Sequence, residues 1–578
     1  MSWRDLYCGE LRSEHIGRRM TVAGWADTRR DHGGLVFVDL RDHTGKLQLV
    51  INPERAPDAA GVAHELRNEF VLQAEGEVVA RAPEAVNPNL PTGEVEVQVD
   101  RLTILSRSTP LPFQLDEENV DEVLRLKYRW LDLRREHMQS NIRRSHKAIG
   151  GVRRTMDELG FVDVWTPSMT RGTPEGARDF LVPVRLQPGT FFALAQSPQL
   201  FKQLCMVGGI DRYYQIATCW RDEDLRADRQ FEFRQLDLEM AFVEAQEVLD
   251  VMEAAVVGAF EAVGATPPPR PFPQIGYDEA MAKYGSDKPD LRFDLEIQDA
   301  TDVTRDSEFG VFKNAPCVRY VVAPKAFSRG DLAKLEELVK SWGAKGLAYL
   351  VREDGETRSP IAKFLSAREL DAFASEDGTT VLFGAGDEAA VARVLGLLRL
   401  HLGRELDLVD EDAQLFHWIV DFPLFEQDED TGQWTFTHHP FTAPAPGVEG
   451  WDEANPGDVR GQHYDLIWNG WELGSGSIRI HDVDMQQRVF RTMGLSEEEA
   501  QSKFGFLLEA LAMGAPPHGG FAMGIDRFVA RLVGEPDIRQ VIAFPKVASG
   551  DDPLTGAPTP MPEDVLRELG IKSLPQDD

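Results

Sequence analysis

The chain has 578 residues, of which 42% are hydrophobic and 27% charged, and its formal net charge at pH 7 is -34. This length exceeds what one hydrophobic core supports, so we expect three or more domains. The acidity argues against a protein that merely coats nucleic acid, because phosphate binding is driven by Lys and Arg, although a local basic patch stays possible.

Targeting and redox signals are few. No run of eighteen or more apolar residues occurs, and the opening MSWRDLYCGE lacks a signal-peptide pattern, so we expect a cytoplasmic protein with no membrane partner. The cysteines are scattered without a CxxC pair, which predicts neither a zinc knuckle nor a disulfide framework: Cys8, Cys205, Cys219 and Cys317.

Residues 1–105 read as five short strands interrupted once by a helix at Asp58–Asn68. That order fits an OB-fold barrel, a fold that commonly binds oligonucleotides. Phe37 and Gln48 sit where they could face outward, although periodicity alone favours a core position for Phe37. The predicted strands are Thr21–Ala26, Leu35–Leu40, Lys46–Ile51, Val71–Ala80 and Val95–Leu105.

A polar, proline-bearing linker at Ser106–Asn119 opens a hinge that we assign to residues 106–140. The stretch Arg125–Arg154 is much more basic than its surroundings, and by composition a solvated helix face and an RNA contact fit it equally well.

The remaining residues predict a catalytic α+β body in two parts, 141–289 and 411–553, with a C-terminal extension at 554–578. The proline-rich segment Thr266–Gln274 predicts a surface loop within the first part. Residues 290–410 alternate helices, such as Asp331–Trp342, with short strands, such as Leu347–Val351, and carry few convergent polar residues. We interpret them as an inserted α/β domain.

Two distant segments predict a nucleotide site. Tyr213–Met240 reads as two strands around a charged turn, with Arg221 and Glu223 leaving the first strand on a shared face. On the return strand one face is apolar and the other carries Phe233, Gln235, Asp237 and Glu239.

Gly519–Phe528 adds Arg527 behind a glycine-rich stretch. Two arginines, an aromatic plate and carboxylates on a sheet describe a nucleotide triphosphate site. Neither GxGxxG nor GxxxxGK[ST] occurs in the sequence, so the scaffold is neither a Rossmann fold nor a P-loop.

The segment His463–Ser477 predicts a β-hairpin, because Asn469-Gly470 lies between two apolar stretches. A two-residue turn pairs Trp468 with Trp471 and Ile467 with Glu472. Asp465 then becomes a diagonal neighbour of Glu472, about 7–8 Å away between backbones. Such a pair can hold Mg2+ together with phosphate oxygens, or it can be a solvated acidic pair.

Four further segments carry polar residues suited to a small substrate. In Gln196–Gln203 a helix capped by Ser197, with Pro198 in its first turn, places Gln199 and Lys202 on one face. The short strand at Ser477–Ile480 presents Arg479, which can grip a carboxylate. The sequence RGTPEGARDF at Arg171–Phe180 suits a mobile lid, and His438-His439-Pro440 suits a substrate-side or core position more than a zinc site.

Joined together, these segments resemble one family, the bacterial-type aspartyl-tRNA synthetases of subclass IIb, over essentially the whole chain. The strand at Tyr213–Met240 and the segment with Arg527 resemble motifs 2 and 3 of class II synthetases, and GFVDVWTP (Gly160–Pro167) resembles motif 1. Other long matches are GWADTRRDHGGLVFVDLRD, LRLKYRWLDLRR, TPEGARDF, QSPQLFKQ, THHPF, YDLIWNGWELGSGSIRIHD, GAPPHGGFAMGIDR and VIAFPK.

The resemblance implies a fold, an assembly and a reaction. It implies a multidomain α+β protein with an N-terminal OB-fold β-barrel, an antiparallel-sheet catalytic domain of the class II synthetase type and an inserted α/β domain. It also implies a homodimer built through motif 1, with ATP and Mg2+ as cofactors. L-aspartate would attack the α-phosphate of ATP to give aspartyl-adenylate, and the terminal ribose of tRNA(Asp) would then take the aspartyl group.

The resemblance also assigns roles. Arg221 and Arg527 would be catalytic, holding the α-phosphate and the γ-phosphate end of ATP, while Phe233 stacks on adenine. The implied ATP-binding set is Arg221, Asp222, Glu223, Gln230, Phe233, Glu472, Gly524, Ile525, Asp526 and Arg527. The implied aspartate-binding set is Glu175, Gln199, Lys202, Arg221, Asp237, His438 and Arg479. Metal would bind Asp465 and Glu472, and the anticodon Arg30, His32, Phe37 and Gln48.

Two departures from the family pattern lie in the anticodon-reading loop. Thr28 replaces a third basic residue before Arg29-Arg30, and His32 stands where many members have Leu. The family contains enzymes that charge only tRNA(Asp) and relaxed ones that also charge tRNA(Asn), and both readings stay open here. An asparagine-activating relative is opposed by Lys202 with Arg479. An inactive RNA-binding relative is opposed by the intact set of Arg221, Glu223, Asp465, Glu472 and Arg527.

Overall fold

The computed structural model describes residues 3–172, 177–428, 431–448 and 450–572. The chain divides into two units, one formed by residues 1–142 with 551–557 and the other by 143–550 with 558–578. Among the residues that the structure describes, none of the helices combines the length and the apolar composition of a membrane-spanning segment.

The first unit contains the expected five-stranded barrel, closed in the order β1-β2-β3-β5-β4, with one helix, α1, at Pro57–Glu65. Val36, Val38 and Leu40 fill its core, whereas Phe37 is only half-buried on the outer face, so the core position favoured by periodicity is wrong. The strands are β1 Arg19–His32, β2 Leu35–Asp42, β3 Gly45–Ile51, β4 Val71–Ala80 and β5 Val95–Ser106.

Helices α2 (Glu122–Lys127) and α3 (Arg129–Asp132) follow the linker, and α4 (Glu136–Glu158) crosses the division between the units. Part of the basic stretch Arg125–Arg154 is buried. The Asp132 carboxylate is fully buried and lies 2.5 Å from Arg129, 3.5 Å from Arg135 and 3.8 Å from Arg125. These arginines therefore neutralise a buried carboxylate. This role differs from both sequence-based interpretations of the stretch, a solvated helix face and an RNA contact.

The second unit starts with short strands and then two long ones. The strands are β6 Val162–Asp163, β7 Met169–Thr170, β8 Leu181–Pro183, β9 Phe191–Leu194, β10 Arg212–Trp220, β11 Glu232–Ala241 and β12 Gln274–Gly276. The helices are α5 Gln199–Val207, α6 Ala245–Val263 and α7 Tyr277–Tyr284.

The segment interpreted as an insertion has a sheet of its own, in the order β13-β14-β17-β15-β16, and two apolar clusters. Its strands are β13 Gln298–Asp299, β14 Cys317–Ala323, β15 Ala348–Glu353, β16 Glu356–Arg358 and β17 Thr380–Gly386. Its helices are α8 Thr301–Thr304, α9 Gly310–Lys313, α10 Arg329–Ser341, α11 Ala367–Ala372 and α12 Glu388–Glu405.

The C-terminal part supplies the rest of the main sheet. Its strands are β18 Phe416–Val420, β19 Phe425–Gln427, β20 Trp434–Phe436, β21 His463–Trp468, β22 Trp471–Ile478 and β23 His518–Gly524. Its helices are α13 Val483–Thr492, α14 Glu497–Ala512, α15 Ile525–Val533 and α16 Glu563–Glu568.

The main sheet has eight strands in the order β12-β18-β21-β22-β23-β11-β10-β6 and is antiparallel except at its two edge pairs. Leu236, Leu238 and Met240 of β11 enter the core together with side chains of α6 and α15. The alternation read from the sequence is thereby confirmed, and the polar residues of β11 occupy the opposite face.

Candidate active site

The polar face of β11 lines a cavity of about 230 Å³. Its neighbour β23 places Ala522 opposite Asp237 and Gly520 opposite Glu239. A Cβ at Gly520 would stand 2.0 Å from Glu239 Oε2, so only glycine leaves room for this carboxylate. The glycine-rich stretch therefore opens space for charged groups on the sheet and is not a phosphate loop.

Helix α5 carries Lys202 into the sheet. The helix begins at Gln199 with Pro198 as its N-cap, so the prediction of a Ser197 cap was one position early, although the Gln199 amide does donate to Ser197 Oγ at 2.9 Å. Lys202 is 1% exposed; its Nζ donates to Asp237 Oδ1 at 3.0 Å and lies 3.5 Å from Glu239 Oε2. The ammonium group is thus held by two buried carboxylates.

Arg479 enters from the other side, just beyond β22. Its Nε donates to Glu239 Oε1 at 2.8 Å, its Nη1 donates to Ser477 Oγ at 2.6 Å, and Nη1 also contacts His439 Nε2. Arg479 is 1% exposed, as is Lys202. Glu239 therefore lies between two buried cations, and its carboxylate holds both of them in position.

The pKa values of the two buried carboxylates, Glu239 and Asp237, shift in opposite directions. Burial works to raise the pKa of Glu239, but Arg479 and then Lys202 outweigh it, and the pKa falls below its usual value. At Asp237 burial prevails over Lys202 and the pKa rises. Asp237 Oδ2 is buried and has no hydrogen-bond partner among the described residues. A cationic group entering the cavity would satisfy this oxygen.

Both histidines of the His438-His439 pair line the cavity in the neutral form. Burial, followed by the neighbouring charged or ionisable groups, lowers the pKa of each well below the usual histidine value. The His438 ring stacks on His463 with ring centroids 4.2 Å apart. Neutral rings add no positive charge to the two cations.

The part of the cavity around Arg221 and Arg527, called here the nucleotide end, gathers the residues expected at a nucleotide. The Arg221 guanidinium lies 5.2 Å from the centre of the Phe233 ring. Arg527 at the start of α15 lies 3.1 Å from Asp228 and donates from Nη1 to the Glu472 carbonyl oxygen at 2.9 Å. Two guanidinium groups and an aromatic ring thus share one cavity.

Several polar residues of this end already have protein partners. Glu223 accepts from Arg229 Nη1 at 3.2 Å. Gln230 exchanges two hydrogen bonds with the backbone of Lys546. Asp526 accepts from the backbone N and the side chain of Arg234, which fixes that arginine at the cavity wall. These bonds hold the walls of the nucleotide end in place.

The predicted hairpin is confirmed at its turn, where Trp468 pairs with Trp471 and Ile467 with Glu472. A bulge between Leu466 and Ile467, which the prediction lacked, places Asp465 opposite Ser475. Asp465 Oδ1 bonds His463 Nε2 at 2.7 Å. Burial first, then the charge of Asp465, raises the pKa of Glu472, so the two carboxylates interact.

A metal site made by the protein alone is not present in the part of the chain that the structure describes: no group of three or more His, Cys, Asp or Glu side chains is arranged to hold an ion. Two interacting carboxylates do match the usual Mg2+ arrangement, in which one or two carboxylates act together with substrate phosphates. The pair Asp465 and Glu472 therefore fits this metal only in combination with a phosphate-bearing ligand.

The cavity collects most of the residues named from the sequence and omits a few. Those on its lining are Gln199, Lys202, Arg221, Glu223, Gln230, Phe233, Asp237, His438, Glu472, Arg479, Gly524, Asp526 and Arg527. Asp222, Asp465 and Ile525 are not on it, and Ile525 is a core residue. Glu175 lies outside the described residues. Sequence reasoning assigned no role to Asp228, Arg229 or Ser475, whereas His439 was expected at a substrate-side or core position and does line the cavity.

The residues predicted at the anticodon lie on the outer face of the barrel. Arg30 is opposite Phe37, and Gln48 is opposite Asp39, which follows Phe37 on the same face. Arg30 forms an ion pair with Asp39 at 2.9 Å, Gln48 donates to Glu96 at 2.8 Å, and His32 is exposed at the end of β1. An aromatic ring flanked by polar groups is the arrangement used to stack single-stranded bases.

Family models match almost the whole chain. The model described as tRNA synthetases class II (D, K and N) matches residues 121–548, and the model described as an OB-fold nucleic acid binding domain matches residues 20–105. The chain is 49% identical to the aspartate–tRNA ligase of Geobacillus kaustophilus, with 98% of each chain covered. It is equally identical, over the same shares, to the aspartate–tRNA(Asp/Asn) ligase of Thermobifida fusca.

Solved structures show the same fold at lower identity. Asparaginyl-tRNA synthetase from Pyrococcus horikoshii, complexed with asparaginyl-adenylate, matches with a TM-score of 0.59 and 19% identity, covering 93% of this chain and 97% of that one. The asparaginyl-tRNA synthetase of Entamoeba histolytica gives a TM-score of 0.58 at 18% identity, covering 94% and 98%.

Proposed function

The chain belongs to the class II tRNA synthetases, among the bacterial aspartate–tRNA ligases, and from this premise we propose that it joins L-aspartate to tRNA(Asp) through an aspartyl-adenylate made from ATP. The observation that carries the choice of amino acid is the pair of buried cations, Lys202 and Arg479, on either side of Glu239.

The charges of the site suit aspartate better than asparagine. Lys202, Arg479 and Arg221 are cations and Asp237 and Glu239 are the carboxylates beside them, so these five side chains together carry one positive charge. Aspartate carries one net negative charge and asparagine none. The side-chain carboxylate would lie between Lys202 and Arg479, and the ammonium group would meet the unpartnered Asp237 Oδ2. A neutral amide would leave buried charge uncompensated.

The first step needs positioning and charge neutralisation more than a general base. An α-carboxylate oxygen of aspartate would form a bond to the α-phosphorus of ATP while the bond from that phosphorus to the bridging oxygen breaks and pyrophosphate leaves. Arg221 would bind the α-phosphate, Arg527 the γ-phosphate end, and Phe233 the adenine. The neutral His438 and His439 would keep the pocket from attracting a second anion.

Mg2+ would be held by Asp465 and Glu472 together with phosphate oxygens, and would neutralise charge on the leaving pyrophosphate. Support for this pair comes from the effect of Asp465 on the pKa of Glu472, since two interacting carboxylates are relieved by a divalent cation. Arg527, bonded to the Glu472 carbonyl oxygen, would keep the phosphate end beside this pair.

The second step transfers the aspartyl group from the adenylate to a terminal ribose hydroxyl of tRNA, and AMP leaves. The outer face of the barrel, with Phe37 between Arg30 and Gln48, would read the anticodon by stacking and hydrogen bonding.

We also propose a homodimer formed through the motif 1 segment. In this segment Val162 is 53% exposed and Trp165 is 84% exposed, and Leu181 and Phe191, on the short strands that follow in the chain, are exposed as well. Large apolar side chains exposed along one stretch of the chain favour an interaction site there. Sedimentation of the wild type and of Trp165→Asp tests the proposal, because the variant should sediment as a monomer.

A relaxed form that also charges tRNA(Asn) is the second candidate. It is favoured by Thr28 and His32 on the barrel, and several relatives of comparable identity are named aspartate–tRNA(Asp/Asn) ligases. Aminoacylation with radiolabelled aspartate, on transcripts bearing the aspartate or the asparagine anticodon, separates the two. Charging of the first transcript alone supports the discriminating form and charging of both the relaxed form, whereas no charging of either refutes the proposed function.

A further inference from the structure

Lys288 lies on the loop between α7 and the segment around β13, far in sequence from every residue assigned above. Its Nζ is 3.6 Å from Glu472 Oε2. We propose that Lys288 is a further substrate-binding residue, whose ammonium group binds the β- and γ-phosphates of ATP and the pyrophosphate they become. This inference rests on the proposed function, since it assigns a ligand to a residue beside the same site.

The loop that carries Lys288 is fixed at both ends. At one end Gly285 closes α7, and a Cβ there would stand 2.0 Å from the carbonyl oxygen of Ala392 in α12, so the two helices meet without space between them. At the other end Asp290 packs against the turn of the β21–β22 hairpin, where a Cβ on Gly470 would lie 3.1 Å from Asp290 Cβ. These two contacts place Lys288 beside the hairpin that carries Glu472.

Buried groups hold the second of these ends. Arg399 is 1% exposed and donates from Nη2 to the carbonyl oxygens of Asp290 and Phe293, both at 2.8 Å. The Asp290 carboxylate in turn accepts from the backbone N and the guanidinium of Arg292. The backbone beside Lys288 is thus rigid, which is what a residue that must meet a ligand requires.

The lysine itself keeps freedom to move. Its side chain is 47% exposed, and that of Glu472 is 35% exposed. An ion pair whose lysine is about half exposed contributes little to stability, so folding alone gives no reason for this cation beside a carboxylate of the cavity. A triphosphate, in contrast, needs several cations around it.

Arg527 and Lys288 approach the same residue from two directions. Arg527 Nη1 bonds the carbonyl oxygen of Glu472, and Lys288 Nζ lies beside its carboxylate. If Arg527 binds the γ-phosphate end, Lys288 lies beside the same residue, Glu472, at which that end would be held. If Glu472 bound a divalent cation, the ammonium group of Lys288 would exchange its carboxylate partner for phosphate oxygens.

The test compares Lys288→Met and Lys288→Arg with Lys283→Met, a control on α7 whose lysine pairs with Glu279 in an exposed ion pair. Calorimetric titration with inorganic pyrophosphate, with and without Mg2+, measures binding without turnover. We expect Lys288→Met to weaken pyrophosphate binding and raise the KM for ATP by about tenfold, because a hydrogen bond to a charged group is lost. Lys288→Arg should recover most of the loss, and the KM for aspartate should stay unchanged.

Two results would overturn the inference. Unchanged pyrophosphate binding with a lowered Mg2+ requirement would mean that Lys288 only competes with the metal for Glu472. A lower Tm together with equal rises in both KM values would mean a structural ion pair. Failure of the proposed function is a separate result, since the wild type itself would then show no aspartate-dependent exchange between ATP and pyrophosphate.

Discussion

Arg479 Nε donates to Glu239 Oε1 at 2.8 Å, and both side chains are almost completely buried. The residues are 240 positions apart in the chain and meet only because β11 and the end of β22 flank β23. Since Lys202 reaches the other oxygen of the same carboxylate, Glu239 sets the distance between the two cations that would receive the aspartate side chain.

Replacing Glu239 by Gln keeps the shape of the side chain and removes its charge. We expect the free energy of unfolding to fall by about 3 kcal/mol, because a buried cation pair loses its counter-ion. The KM for aspartate should rise at the same time, since Lys202 and Arg479 are no longer held apart in one geometry. Urea unfolding and ATP–pyrophosphate exchange measure the two effects.

Glu253→Gln is the matched control, because Glu253 is also a buried carboxylate but bonds Arg270 and Trp418 away from the cavity. It should lose stability with an unchanged KM for aspartate. An unaltered KM in Glu239→Gln would show that the two cations do not depend on this carboxylate.

Lys202→Ala removes one of the two cations proposed for the substrate carboxylate. We expect aspartate-dependent exchange to fall by about 10³-fold or more, because breaking a buried charge pair costs several kcal/mol. Far-UV circular dichroism should still show the folded state, since Leu200 and Met206, the buried apolar residues of α5, are kept. Lys340→Ala, in an exposed ion pair on α10, serves as the control. Normal adenylate formation by Lys202→Ala would falsify the aspartate assignment.

The sequence predicted those parts of the site that depend on local pattern. Alternation in β11 separates Leu236 and Leu238 from Asp237 and Glu239, and the structure buries the first pair in the core as expected. The Asn469-Gly470 turn predicts its own hairpin, because few other dipeptides suit that backbone. Both signals lie within a few residues of the feature they specify.

The parts that could not be predicted depend on contacts across the fold. The ion pair of Glu239 with Arg479, the approach of Lys288 to Glu472 and the burial of Asp132 among arginines are set by packing, which a single sequence does not display. The bulge after Leu466 is a similar case, since it lies in a hairpin that pairs with β18 on one side and β23 on the other.

His417 in β18 is fully buried, and neither ring nitrogen has a hydrogen-bond partner among the described residues. Burial lowers its pKa to about 4, whereas the unfolded chain titrates near the ordinary value of 6.5. Between these values the unfolded state binds a proton that the folded state excludes, so stability is complete above pH 6.5 and decreases as the pH falls towards 4.

His417→Leu should remove this pH-dependent loss. We expect the variant to gain about 2 kcal/mol relative to the wild type on going from pH 8 to pH 5, from the shift in pKa over that interval. Urea unfolding at both pH values measures it, with His401→Leu on the exposed side of α12 as control. An equal change in wild type and His417→Leu would contradict the explanation.

Phe37 provides the test that separates tRNA recognition from amino-acid activation. The ring lies on the outer face of the barrel opposite Arg30, and its neighbours Val36 and Val38 form the core, so truncation should leave the barrel folded. Stacking of a base on an aromatic ring is worth about 1–3 kcal/mol, so Phe37→Ala should raise the KM for tRNA(Asp) by about tenfold or more. Aspartate-dependent exchange between ATP and pyrophosphate, which needs no tRNA, should be unchanged.

Tyr7→Ala is the control for Phe37→Ala, because it removes another exposed ring of the same unit and should alter neither activity. A normal KM for tRNA in Phe37→Ala would remove this ring from the anticodon site, whereas a loss of both activities would mean that its role is structural.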